Sequence, residues 1–397
     1  MVFSSETATW IGETFCQGLR QLAGGTVYRE PGAYFDPGEP RPDQPGYFDA
    51  CDRINDAFDQ WLDPGPVTAP AAHEIRREHE FLRFPSPCPA GDPEVDRVAL
   101  KLYPAPARAP EVGVLFHHWL SISSFLPVDW LLSPLTRRFR VAAMVAPHHL
   151  MRRAAGMRSG EGFVNPNPRY VFEGFRQWEA DHMACLELLH RDHGFAGVVV
   201  VGYSLGGYGA LLHRLLRPAL PTVAICTTNC YARGVFEGGH TAQLAQRLRE
   251  AGFTLSSFRR ATRSLHLVRW AQRIGGDELT WIYARHDGIE PQDSLREARR
   301  ALRPERVVAV EGGHATAAWA RRRIIDEISR RLERLCPEPS QPASQEAPER
   351  SARPRIRMPR RVGFAGMVRS ARWRDVLASA RAQLPHRSQA ARGKTRR

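Results

Sequence analysis

The stretch Gly202-Tyr203-Ser204-Leu205-Gly206 sets one serine between two glycines, directly after Val198 to Val201 and shortly before the apolar run Ala210, Leu211 and Leu212. A serine hydroxyl is a poor nucleophile at neutral pH, so attack on a carbonyl needs a base beside it and a third group to orient that base. Two later residues have the right types. His314 follows Gly312 and Gly313 after the strand-like run Arg-Val-Val-Ala-Val, and Asp287 lies in the turn that follows Leu-Thr-Trp-Ile-Tyr-Ala. The chain order is therefore Ser204, Asp287, His314, each just past a run with strand character. Such a set would carry out acyl transfer: serine as nucleophile, histidine as general base, aspartate as its partner.

Those residues meet only if the elements around them place them together. The four valines are too apolar for a half-exposed strand, and the helix after Gly206 runs to about Arg217, where Pro218 stops it. This is the strand-turn-helix setting in which a Gly-x-Ser-x-Gly serine is held out from a sheet edge. Upstream, HEFLRF, RVALKLY and EVGVLFHHW read as three strands, each bounded by Pro or Gly. A helix near 127 to 138, the strand RVAAMVAP and a long helix from Val171 to Arg191 come next. That helix repeats Phe172, Phe175, Trp178, Met183, Leu186 and Leu189 at helical spacing, so one face is buried. Downstream lie the strand TVAIC, about 50 mostly helical residues from 227 to 276, the strand LTWIYA, the helix SLREARRAL, the strand RVVAV and a last amphipathic helix. Alternating strands and helices imply a mostly parallel sheet of eight strands with helices on both faces, and the 227–276 insertion is expected as a lid.

With these residues in hand, residues 78–336 resemble the α/β-hydrolase superfamily and, within it, uncharacterised abhydrolase-domain-containing proteins. The motif around Ser204, the turn Asp287-Gly288-Ile289-Glu290-Pro291 and Gly313-His314 carry the resemblance. It implies a nucleophile elbow at Ser204 and an oxyanion hole made by the backbone N–H of Leu205 and a second N–H just after the third strand. That strand ends Phe116-His117-His118-Trp119, where many relatives have His-Gly, and Trp119 is the second donor expected here. The implied activity is that of an esterase or thioesterase working through an acyl-enzyme, with no organic cofactor and no metal. An acyltransferase or amidase would use the same triad, and a non-catalytic hydrolase-like interaction protein is the reading from another class.

Two histidine pairs follow neighbouring strands, His117-His118 and His148-His149. Adjacent residues of an extended chain point in opposite directions, and no carboxylate or cysteine stands beside either pair at ligand spacing, so a metal site is not expected. His118, His149 and Tyr203 remain candidates for substrate contact. Arg152, Arg153 and Arg158 would suit a substrate carboxylate or phosphate, although solvated arginines are the plainer expectation.

Composition bounds these readings. With 43% hydrophobic and 25% charged residues in 397, the chain can build a large core, and no apolar run approaches the roughly 20 residues of a membrane helix. The start lacks the basic and apolar regions of a secretion signal, and the seven cysteines fall in no disulfide or zinc spacing, so reduced thiols and a cytoplasmic location are expected. Net charge is +14, of which +11 lies in residues 337–397. That tail reads as a basic, largely disordered segment with an amphipathic helix over 362–384, and weak contact with an anionic membrane or nucleic acid is its candidate role. Residues 1–77 read as a partly helical N-terminal extension containing the helix CDRINDAFDQWL.

Overall fold

The computed structural model of the protein describes residue 35 and residues 38–336 apart from 166, 239 and 240. The tail from 337, with the helix expected over 362–384, and the first 34 residues of the N-terminal extension lie outside the described residues.

Among the described residues nine strands form one sheet: β1 (Arg76–Glu78), β2 (Phe81–Pro85), β3 (Arg97–Leu102), β4 (Val112–His117), β5 (Arg140–Val145), β6 (Gly197–Tyr203), β7 (Thr222–Ile225), β8 (Leu279–Ala284) and β9 (Arg306–Val310). Their spatial order is β1-β2-β3-β5-β4-β6-β7-β8-β9. The three pairings from β1 to β5 are antiparallel and the five from β5 to β9 are parallel. The three-residue edge strand β1 joins the expected eight, and it is too short and polar to leave a periodic signal.

The six central strands are apolar on both sides because helices cover both. Val199, Val201 and Tyr203 of β6 face one layer with Val114 and Phe116 of β4, packed under α3 (Leu126–Leu132) and α11 (Arg321–Leu335). Leu115, Met144 and Val198 face the other, under α4 (Pro168–His193), α5 (Leu205–Leu216) and α10 (Gln292–Leu302). The α4 helix starts three residues earlier than its periodicity implies. Asn167 caps it by accepting the Arg169 N–H at 3.1 Å, and Gly194 ends it in the left-handed region.

Between β7 and β8 lie four short helices, α6 (Tyr231–Phe236), α7 (Ala242–Glu250), α8 (Leu255–Ala261) and α9 (Ala271–Ile274). The N-terminal segment packs against this insertion. Its expected single helix is two, α1 (Tyr47–Asp56) and α2 (Phe58–Leu62), broken at Ala57. The Asn55 side chain accounts for the break: Nδ2 donates back to the Cys51 carbonyl at 2.8 Å and also to Ala261 O at 2.8 Å, while Oδ1 accepts from the Ser264 N–H and hydroxyl at 2.8 and 2.7 Å. A side chain competing for a helical carbonyl bends or ends the helix. Phe58 and Trp61 then rest on Phe172 of α4 at ring separations of 5.7 and 5.9 Å.

Under β3 and β5 sits a buried ion pair. Arg152, expected among solvent or anions, is fully buried: it donates to Val95 O at 2.7 Å, to Val145 O at 2.9 Å and to Asp181 Oδ2 at 2.6 Å. Asp181, equally buried, also accepts the Ser86 hydroxyl at 2.5 Å. Arg152 thus ties the loop after β5 to α4, with four of its five N–H donors on main-chain carbonyls and the Asp181 carboxylate. Among the described residues no helix is long and apolar enough to cross a membrane. Asp181→Ala strands the Arg152 charge in the core and is expected to lower unfolding free energy by about 3–5 kcal/mol. Urea unfolding checks this, with the apolar double variant Arg152→Met/Asp181→Leu expected to lose much less.

Candidate active site

All strands from β5 to β9 run the same way, so the residues that follow β4, β6, β8 and β9 line one edge of the sheet. That edge gathers Trp119, Ser204, Asp287 and His314 from segments far apart in the chain.

Ser204 has φ 56° and ψ −118°, a conformation that costs a residue with a side chain on the order of 1–3 kcal/mol. The surroundings enforce it. Its N–H donates to Ile225 O at 2.8 Å, which continues the β6–β7 ladder, and its carbonyl accepts the Tyr208 N–H at 3.0 Å, which opens α5. The chain therefore passes from strand to helix within one residue. Both flanking glycines are steric necessities: a Cβ on Gly202 would lie 2.1 Å from the Gly206 carbonyl oxygen, and one on Gly206 would lie 2.1 Å from the His117 carbonyl oxygen.

His314 Nε2 lies 2.7 Å from Ser204 Oγ, and Nδ1 lies 2.9 Å from Asp287 Oδ2. A carboxylate can only accept, so the proton sits on Nδ1 and the Nε2 lone pair faces the serine hydroxyl. Asp287 is itself held, its Oδ1 accepting the N–H of Ile289 at 2.9 Å and of Glu290 at 3.0 Å. Burial works to raise the Asp287 pKa, but the electrostatic attraction of His314, its hydrogen bond and these two N–H groups outweigh it and hold the carboxyl below its usual range. The His314 loop is pinned by Gly313 N–H donating to Thr316 Oγ1 at 2.8 Å and by the Tyr203 hydroxyl donating to His314 O at 2.6 Å.

Leu205 is the first residue of α5, where helical N–H groups have no partner of their own and favour negative charge. The 117–119 segment lies against the elbow, as the contact of Gly206 with the carbonyls of His117 and His118 records. His118 sets the course of that segment. Its Nε2 accepts the Ala146 N–H at 3.1 Å, which leaves Nδ1 to donate to Trp119 O at 2.9 Å. Both ring nitrogens are spent and the ring is fully buried, so it orients the backbone around Trp119 and offers a substrate nothing. Burial pushes its pKa down to about 4 despite the Trp119 contact, with Arg152 adding to the fall, so the imidazole is neutral near pH 7.

The other candidates lie elsewhere. His149, fully buried, donates from Nδ1 to Pro147 O at 2.8 Å and packs edge-on to His118 at 4.8 Å. His148 turns away, at φ 60°, to rest on Tyr170. The Arg153 head is anchored on Leu150 O at 3.2 Å. Tyr203 uses its hydroxyl on the His314 carbonyl.

His117 belongs to a group that left no spacing signal, since its partners come from two helices. His117, His182 of α4 and His213 of α5 bring ring nitrogens within 4.8 Å of one another, all buried. Three imidazoles so placed suggest a metal, but their bonding runs otherwise. Trp178 Nε1–H donates to His117 Nδ1 at 3.1 Å, so His117 carries its proton on Nε2 and gives it to His182 Nδ1 at 3.0 Å. The His182 and His213 rings stack 3.7 Å apart at 11°, so their in-plane lone pairs run parallel and do not converge on one point. His213 Nδ1 is held by Glu179, whose other oxygen accepts from Arg217 at 2.6 Å. The cluster is a hydrogen-bonded prop between β4 and the two helices behind the elbow.

A second feature without a sequence signal is Glu290, wholly buried beside Asp287 where the insertion leaves the sheet. It accepts the Thr228 hydroxyl and, at 3.1 Å, the Asn229 N–H.

With this strand order and helices on both faces of the sheet, the chain has the α/β-hydrolase fold. No protein-family model and no curated protein matches it. Solved structures do. An acetyl xylan esterase from Paenibacillus sp. R4 is 13% identical over 79% of this chain and 99% of its own, with a TM-score of 0.49. TT1662 from Thermus thermophilus is 20% identical over 65% and 98%, at 0.44, and the Pyrococcus furiosus esterase Pf2001 is 13% identical over 68% and 98%, also at 0.44.

Burial pushes Glu290 up to about 7, against hydrogen bonds from Ser294, Thr228 and the Asn229 N–H that pull it down. Between its ordinary carboxyl value and about 7 the native state holds a proton that the unfolded chain has lost, so native stability falls as pH rises through that window and then levels. A shift from 4.5 to about 7 corresponds to about 3 kcal/mol. Glu290→Gln is expected to flatten the decline in melting temperature between about pH 5 and pH 8 that the wild type shows, as scanning calorimetry across that range would register.

Proposed function

We propose that the protein is a serine hydrolase that cleaves a carboxylic ester or thioester through an acyl-enzyme. One observation carries the reading: the unbroken chain from Ser204 Oγ through His314 to Asp287, at 2.7 and 2.9 Å. In this scheme Ser204 attacks the substrate carbonyl while His314 Nε2 takes its proton. Asp287 keeps the proton on Nδ1 and stabilises the imidazolium. The backbone N–H groups of Leu205 and Trp119 receive the oxyanion, each worth about 2.7–4 kcal/mol in the transition state. His314 then protonates the leaving group, and water, activated by the same imidazole, releases the acyl group from Ser204.

Amide cleavage and transfer to an acceptor other than water would use the same residues. A thioester or ester is preferred because its leaving group demands least of this machinery, and the insertion over 227–276, as a lid, would shape the acyl pocket. The basic tail is assigned no part in the chemistry, and any anionic contact it makes would be separate from turnover.

A fluorophosphonate probe is expected to label the wild type at Ser204 and to leave Ser204→Ala unlabelled. Asp287→Asn, which leaves the shape of the site but favours the wrong imidazole tautomer, is expected to lower p-nitrophenyl ester turnover by roughly 10⁴-fold. Labelling of wild type no faster than of Ser204→Ala would end the proposal. A panel of oxygen esters and thioesters of graded acyl length then identifies the substrate class. Removal of residues 337–397 should leave those rates nearly unchanged.

A further inference from the structure

Tyr203 stands between the first glycine of the elbow and the nucleophile, and its side chain joins parts of the site that the backbone does not connect. Its hydroxyl donates to the main-chain carbonyl of His314 at 2.6 Å, bridging 111 positions of sequence and two intervening strands. The ring is 4% exposed, stands edge-on to Trp119 at 5.7 Å and lies 6.4 Å from the His314 ring. It is the last residue of β6 and is held in the ladder by its pairing with Ile225 of β7.

The His314 loop leaves β9 through Gly312, at φ 114°. Its main chain is held at Gly312, whose carbonyl accepts the His286 N–H at 3.1 Å, and at Gly313, which donates to Thr316 Oγ1 and accepts the Ala317 N–H, each at 2.8 Å; the Asp287 carboxylate holds the ring. The Asp287 contact fixes the direction of the imidazole but permits it to swing about the Nδ1–carboxylate axis. The carbonyl tether removes that freedom at the main chain.

Resting on the serine-hydrolase reading, we infer that Tyr203 is a positioning residue for the base: it holds the His314 main chain at the distance from Ser204 that proton transfer requires, and it contacts no substrate. Its hydroxyl is already engaged, and its ring serves as the wall against which the Trp119 side chain rests. One side chain thereby couples nucleophile, base and the expected second oxyanion donor.

Tyr203→Phe removes the tether and keeps the ring. Active sites are counted by fluorophosphonate titration, so that turnover is expressed per competent molecule. The expected result is a kcat per active site lower by roughly 10- to 100-fold, the loss that follows a misplacement of about 1 Å. KM should stay within about twofold, and the loss should be equal for short and long acyl esters. Replacement of Tyr203 by 4-aminophenylalanine, which restores a donor at the same ring position, should recover most of the rate. A rise in KM that depends on acyl length would assign Tyr203 to substrate binding and overturn the inference. An unchanged kcat per site with a lower melting temperature would make it merely structural and overturn it as well. Should Tyr203→Phe fail to fold, the aminophenylalanine variant compared with a 4-methylphenylalanine variant of similar bulk decides the same question. Wild type that goes unlabelled at Ser204 would overturn the hydrolase reading itself, whereas labelled wild type with an unaffected Tyr203→Phe overturns this inference alone.

Discussion

The contact on which the rest of this structure depends is the approach of Gly206 to the end of β4. With a Cβ at Gly206 the His117 carbonyl oxygen would be 2.1 Å away, so the first turn of α5 and the last residue of β4 are pressed together at backbone distance. That closeness places Ser204 at its strained φ and ψ, because strand and helix must change direction within one residue. It also brings the segment leading to Trp119 alongside the N-terminus of α5, where unpartnered N–H groups concentrate positive potential. Nucleophile and oxyanion donors are thus products of a single backbone packing event.

Much of the remaining structure serves to hold that packing from outside. Behind β4, the imidazoles of His117, His182 and His213 form a hydrogen-bonded prop closed by Trp178 and Glu179. Beyond β5, Arg152 draws the 148–163 loop against α4 through Asp181. On the other side, Tyr203 and the Asp287 turn hold the His314 loop over the sheet edge. Each of these uses buried polar groups, which are costly unless every partner is in place, and each therefore specifies one arrangement. The N-terminal helices belong to the same logic, since Asn55 and Asp52 grip α8 and the residues after it, and so tether the insertion from the side away from the sheet.

The architecture was largely legible from residue patterns. The valine run of β6, the long apolar stripe of α4 and the alternation of later strands with helices come from burial, and burial writes a period into the sequence. The failures share a cause. A three-residue edge strand has no period, and the break at Ala57 comes from an asparagine whose partners other than Cys51 lie more than 200 positions away. The arginines after β5 look alike in sequence, yet Arg152 is enclosed among main-chain carbonyls while Arg153 stays outside.

By itself, the sequence determined the order of elements and the chemical types presented at the ends of β6, β8 and β9, because strand burial, glycine placement and hydroxyl, carboxylate and imidazole chemistry are local properties. Only the tertiary structure decided the partners. Strand β5 lies between β3 and β4, out of chain order, and this alone sets His118 against Ala146 and Arg152 against Val95. Whether a histidine faces a substrate, props a helix or orients a loop depends on which atoms fill its two hydrogen-bonding directions. Those atoms arrive from distant segments when the sheet assembles, so no spacing along the chain could encode them.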